Sequence, residues 1–382
     1  MKVSKDITVL FCGDFAPCRG YESLVLERGE GIFGDALPII KSADISFVNL
    51  ECVLTNHDEK INKSGPALKA EPLCIEALKS FDVVGLANNH IMDYGNSGLL
   101  DTMELCIENN ISTVGAGLTL EDACKVLFKE SQGVKIAIIA LAEFEFNQSV
   151  GGGAGSAPID LISNYHQIEF AKKKADVVIV TIHGGNEYFP YPSPEFRRTC
   201  QHFINLGVDA VICHHPHVPG AYEYYKEKPI IYSLGNVIFD SVNAPKDWEL
   251  GYIASLKVDS DSKIFKSLEL IPYTQSVKQS GMRVLKGSEK ETILKRVEEY
   301  RDILSDNAKW LAEWEHFILL KSNNYIVNFF SPVNFKGLGF LARHTPIARL
   351  FFNQKKDRAK LNMLRCQSHR EVLINSLENK CK

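Results

Sequence analysis

The chain has 382 residues, 45% of them hydrophobic and 24% charged, with 43 Lys and Arg against 47 Asp and Glu for a net charge of -4. That balance excludes a disordered or fibrous protein, and the missing basic excess argues against a nucleic-acid binder, because phosphate backbones are held by Lys and Arg. Ten cysteines are dispersed without CxxC pairs, several inside apolar runs, and read as reduced, buried thiols.

The N-terminal segment, Met1 to Leu10, carries two lysines and an aspartate before it enters a strand-like run, so a cytoplasmic location without an export signal is expected. Six short apolar runs follow: Ile7 to Cys12, Ile45 to Val48, Val83 to Ala87, Val177 to Ile182, Val208 to Cys213 and Ile230 to Leu234. Helical stretches at Pro72 to Ser80, Ser97 to Asn109, Ile159 to Lys174 and Pro194 to Leu206 alternate with them. The alternation predicts βαβ units and a largely parallel sheet covered on both faces, with a hairpin of Tyr252 to Val258 and Ile264 to Ile271 at its edge.

Beyond Arg283 the pattern becomes charged and helical through Glu289 to Lys321, so a domain of residues 1–283 and a helical, basic extension of residues 284–382 are expected. No stretch reaches the roughly 20 apolar residues that span a bilayer. From Lys336 to Arg370 nine Lys or Arg are interleaved with Leu341, Ile347, Leu350, Phe351 and Phe352. Such a stretch suits a solvated helical appendage, or peripheral contact with the inner face of an anionic membrane.

Chemistry enters directly after the strands, where Asp14, Glu51, Asn89-His90, His183, His215-Pro216-His217 and Asn236 stand. In open α/β sheets, residues at the carboxyl ends of strands converge on one crevice, and these are side chains that bind divalent metals. Taken singly, Asp14 or Glu51 would pass for a helix cap, and Asn88-Asn89-His90 for a turn. His183 beside Gly184-Gly185 says more, because paired glycines let a backbone approach a ligand. His214-His215-Pro216-His217 puts three imidazoles within four residues at one strand end, which points away from a purely structural role.

Taken in order, Gly13-Asp14, Asn49-Leu50-Glu51, Ala87-Asn88-Asn89-His90 with Asp93-Tyr94-Gly95, Gly115-Ala116-Gly117, His183-Gly-Gly-Asn-Glu187-Tyr188, His215-Pro-His217 and Tyr232-Ser-Leu-Gly-Asn236 resemble the bacterial CapA-type capsule-biosynthesis proteins. That family is associated with poly-γ-glutamate capsules and related to calcineurin-like metallophosphoesterases. The resemblance covers about Ile7 to Pro272 and implies a metallophosphoesterase-like layered α/β sandwich with a C-terminal helical extension. It further implies two divalent ions, of Mn, Fe or Zn, held by Asp14 and Glu51, with Glu51 bridging. Asn89 and His183 would complete one shell, and His215 or His217 would contribute the rest. His90 would be the general acid, Arg19 a contact for an anionic substrate, and Asn236, with the backbone near Gly235, a donor to developing negative charge. Glu187 and Tyr188 would line the substrate.

In the wider pattern a His commonly follows the first Asp by two residues, and Ala16 holds that place here. Gly184 stands where the family usually has Trp, and Cys213 where it has Gly. The expected activity is phosphoester hydrolysis on an anionic small molecule or polymer precursor in capsule or polyglutamate/polysaccharide synthesis. Alternatives are an amide (γ-glutamyl) hydrolase or ligation factor, and a non-catalytic scaffold of polymer synthesis.

Overall fold

The computed structural model describes residues 6–330 except 64, 149–151, 242, 243 and 246, together with residues 340, 345 and 364, and gives side chains outside 322–330. The chain forms two compact units, residues 1–310 and 311–382. The first runs past the boundary read at 283/284, because the helix Gly287–Ser305 packs on the strands Tyr222–Tyr225 and Phe265–Ser276. In the second, the rings of Trp314 and Phe317 stack at 5.7 Å. The basic stretch 336–370 lies outside the described residues, apart from three single positions. Among the described residues, no helix is long and apolar enough to cross a membrane.

The first unit is a layered α/β sandwich with two main sheets, as the resemblance implies, rather than the single sheet read from the alternation. One runs Gly281–Val284, Phe265–Ser276, Leu250–Val258, Ile7–Ala16, Ile45–Leu50, Val83–Gly85, Ser112–Val114, with Asn236–Phe239 also paired to Ile7–Ala16. The other runs Tyr222–Tyr225, Lys228–Ile231, Ala210–His214, Val177–His183, Val134–Ala142, Leu127–Ser131. The expected hairpin exists, but its strand Leu250–Val258 pairs with Ile7–Ala16 near the middle of the sheet, and Gly281–Val284 takes the edge. Four residues of strand are too short to stand out by alternation.

The side-chain period of two divides each strand between two cores. Ile7, Val9, Phe11, Ile45 and Phe47 of the first sheet meet Ile136, Ile138, Ile179 and Ile212 of the second, while Leu10, Cys12, Val48 and Leu50 face the helical layer on the other side. Both faces are therefore buried, which is why these strands read as continuous apolar runs.

Helices cover the second sheet at Leu161–Lys172 and Pro194–Asn205. Asp160 caps the one by accepting from Ile162 N (3.0 Å) and Ser193 the other by accepting from Phe196 N (3.3 Å), with Pro194 in the first turn, where its missing N–H costs nothing. The eight described cysteines are all free, seven of them buried.

Candidate metal centre

The backbone positions the ligands first. The strand Ile7–Ala16 shifts register between Cys12 and Asp14, where Asp14 N donates to Gly235 O at 3.1 Å. A Cβ on Gly13 would sit 1.9 Å from that carbonyl oxygen, so only glycine allows the two segments to meet. Asp14 then lies opposite Asn236 across a parallel pairing. His215 and His217 hold φ of +97° and +59°, a left-handed backbone that side-chain-bearing residues rarely adopt and that concentrates at functional sites. His215 N donates to Asp14 Oδ2 (3.1 Å), tying the two turns together.

Asp14, Glu51, Asn89, His90, His183, His215 and His217 converge from both sheets. His183 Nε2 lies 3.0 Å from Asn89 Oδ1, 3.1 Å from His215 Nδ1 and 3.5 Å from Glu51 Oε1. On the other side, His217 Nε2 is 3.5 Å from Glu51 Oε1 and its Nδ1 is 3.5 Å from Asp14 Oδ2. Two sets of ligand atoms result, Glu51/His183/His215 and Asp14/Glu51/His217, each with its atoms within 4.8 Å of one another. Glu51 belongs to both. Ala16 is buried in the strand and offers no donor, so in the second set the imidazole is that of His217.

The electrostatics fit a cation. Glu51 is fully buried, and neither carboxylate oxygen has a hydrogen-bond partner among the described residues. A buried carboxylate without donors is strongly disfavoured unless a positive charge is beside it. Burial, and then the charges of Asp14 and Glu187, accordingly push the Glu51 carboxyl well above its usual range. Asp14 goes the other way: burial opposes its charge, but the close approach of His214 (3.4 Å) and His217 outweighs it and holds the group well below that range. Burial and then the neighbouring His215 imidazole hold His183 well below the usual imidazole range, and burial and then His217 bring His215 to about 4. Neutral imidazoles and a carboxylate short of a counter-charge are a donor set that fits divalent metal.

A cavity of about 440 Å³ opens at this cluster, lined by Asn89, His90 and His217, with Arg19, Glu187 and Tyr188 around it. Asn236 is placed differently from the expected substrate-facing donor. It is fully buried, its Oδ1 lies 2.9 Å from His217 Nδ1, and its Nδ2 donates to the carbonyls of His217 (3.1 Å) and Trp248 (3.2 Å). Gly235 N is likewise committed to the Ser233 hydroxyl.

Several site residues escaped the sequence reading. Asn49 donates to Asp14 Oδ1 (2.7 Å), Asp93 Oδ2 pairs with His90 Nδ1 (2.6 Å), Glu145 accepts from Asn89 Nδ2 (3.2 Å), and the Trp248 ring lies 4.9 Å from that of His217. Glu145 was findable, because Glu143-Phe144-Glu145 closes the apolar run Val134–Ala142 at a strand's carboxyl end, just as His183 and His215 do. Glu143 also explains one departure: a Cβ at Gly184 would meet its side chain at 2.8 Å, so the larger residue usual there has no room.

A model of the bacterial capsule synthesis proteins designated PGA_cap matches residues 8–241, more than half of the chain. The capsule biosynthesis protein CapA of Bacillus anthracis is 29% identical over 249 residues, which is 62% of this chain and 61% of that protein. The PGA biosynthesis protein CapA of Bacillus subtilis is 32% identical over 246 residues, 61% of this chain and 63% of the relative. The chain thus spans less than two thirds of the length of these two curated relatives. Among solved structures, a calcineurin-like phosphoesterase, YfkN of Bacillus subtilis, aligns at a TM-score of 0.39 with 14% identity, over 78% of this chain and 98% of that one. A Mycoplasma pneumoniae phosphatase aligns at 0.44 with 16% identity, over 71% and 95%.

Proposed function

The chain belongs to the family of bacterial capsule synthesis proteins, and on that premise we propose that it is a metal-dependent hydrolase acting on a phosphoester in the synthesis of capsule or a polyglutamate or polysaccharide precursor. One observation carries the reading: among the described residues the buried Glu51 carboxylate has no hydrogen-bond partner, at the point shared by two sets of candidate ligand atoms. Asp14, Glu51, Asn89, His183, His215 and His217 would hold the ions. Divalent metal bound there supplies Lewis acidity and lowers the pKa of a coordinated water.

The chain's own groups do the rest. His90 directs its Nδ1–H to Asp93 and turns Nε2 to within 3.9 Å of Glu51 Oε1; once protonated on both nitrogens, with Asp93 stabilising the imidazolium, it can give the Nε2 proton to a leaving oxygen over the centre. Arg19, with φ of +57°, spends one Nη1 donor on Asp240 O, and among the described residues the rest of its planar fork has no hydrogen-bond acceptor and can meet an anionic group in the cavity. Tyr188, also at positive φ, and Glu187 stand at the same cavity and shape what enters.

The test is to strip the full chain with chelator, reload it separately with manganese, zinc and iron, and assay phosphodiesters, phosphomonoesters and γ-glutamyl amides. Ester hydrolysis that returns with metal supports the proposal. Amide cleavage without ester cleavage sinks it, and no turnover with any metal leaves the scaffold reading in its place.

A further inference from the structure

Asp93 gathers one loop onto the turn that carries Asn89 and His90. Its carbonyl accepts from Ile61 N (2.9 Å), its Oδ2 accepts from Leu68 N (2.7 Å), and its Oδ1 pairs with Lys63 Nζ at 2.5 Å. The Lys63 ammonium also donates to Asn89 O (3.2 Å) and lies 3.4 Å from His90 Nδ1. The Lys63 side chain is 6% exposed and that of Asp93 is fully buried, yet Lys63 lies on the wall of the cavity.

Resting on the reading of His90 as proton donor, we propose that Lys63 is a positioning residue that fixes the Asp93 carboxylate and, through it, the orientation and tautomer of His90. A carboxylate held on one oxygen alone can swing about its Cβ–Cγ bond. Here Oδ1 is anchored by Lys63 and Oδ2 by Leu68 N, so one Oδ2 lone pair is left aimed at the imidazole. Nδ1 then carries the proton to Asp93, and Nε2 faces the Glu51 side of the site. Without Lys63, Oδ1 becomes a buried, unpaired acceptor, and the carboxylate gains by turning toward any other donor. The bond from Lys63 to Asn89 O extends the same control to the turn that presents Asn89. A staple that only fastened the loop would need none of these contacts with residues 89 and 90.

The experiment uses the full chain loaded with diamagnetic zinc and labelled with ¹⁵N-histidine. Long-range ¹H–¹⁵N spectra report the His90 tautomer, and kcat and KM are read on an ester that the wild type hydrolyses. With His90 in its neutral form, the wild type should show one Nδ1–H tautomer. Lys63→Met should mix the tautomers and lower kcat by about 10–100-fold with KM changed less than about twofold, and Lys63→Arg should recover part of both. A folded Lys63→Met with an unchanged tautomer, or with a loss confined to KM, overturns the proposal. If Lys63→Met does not fold, Lys63→Gln, which keeps a polar side chain but removes the ammonium and leaves Asp93 in place, decides instead: a mixed tautomer with lowered kcat supports the relay, and a wild-type tautomer with wild-type kcat overturns it. If the wild type cleaves no ester, the hydrolase reading fails by itself, and the tautomer spectra still decide the role of Lys63.

Discussion

His217 Nδ1 lies 2.9 Å from Asn236 Oδ1. An amide oxygen only accepts, so Nδ1 carries the proton and the Nε2 lone pair faces Glu51, 3.5 Å away. The side chain that fixes this tautomer is not itself a ligand.

Asn236→Ala should therefore weaken metal binding by about 10–100-fold without touching a ligand, as loss of an outer hydrogen-bond partner does. It also strips the side-chain donor from the buried carbonyl of His217, at about 1–3 kcal/mol for the group left unpaired, while the Trp248 carbonyl keeps Gln275 Nε2 at 3.3 Å. Titration calorimetry with zinc and urea denaturation of the metal-free protein measure the two effects separately. Unchanged affinity would show that His217 does not depend on Asn236 for its orientation.

Glu51 gives the metal-free protein a signed pH dependence. The unfolded chain loses the Glu51 proton near the ordinary value of 4.5, whereas burial, then Asp14 and Glu187, keep it bound in the folded state to higher pH. In that window the folded state binds more protons, so this group makes stability fall as pH rises. Glu51→Gln removes the fall, so at pH 7 the metal-free variant should be the more stable of the two. Added metal should raise the melting temperature of the wild type and leave that of Glu51→Gln where it was. Thermal melts from pH 4 to 8, with and without zinc, check both signs.

Gly13→Ala tests the backbone that delivers Asp14. A Cβ 1.9 Å from Gly235 O must push the strand Asn236–Phe239 aside. The cost should fall at the upper end of the about 1–3 kcal/mol typical of overpacking, with metal binding lost as Asp14 moves. Urea unfolding paired with zinc titration reads both.

The convergence of the candidate site residues was legible because the sequence places them just after apolar runs, where a strand's carboxyl end must be. Which of two sheets a run joins was not legible: Ile45–Leu50 and Val177–His183 are buried along their whole lengths, so alternation carries no mark of the partner sheet. Asp93 resembled a turn residue because its role comes from Lys63 and Leu68 across a loop closure. Asn236 sat at a strand end like the others, but whether such a residue faces the cavity or the back of His217 depends on the Gly235 turn. Composition suggested a boundary at Arg283, where charge density changes, yet the helix Gly287–Ser305 buries Ile293, Val297 and Leu304 in the first unit.

Whether two metal ions share Glu51 is decided by metal stoichiometry, read by plasma mass spectrometry on the reloaded and dialysed chain. Two equivalents are expected in the wild type, one in His183→Ala and in His217→Ala, and none in Glu51→Gln. A Glu51→Gln protein that keeps the wild-type complement, or a wild type that takes up no metal, would contradict that sharing.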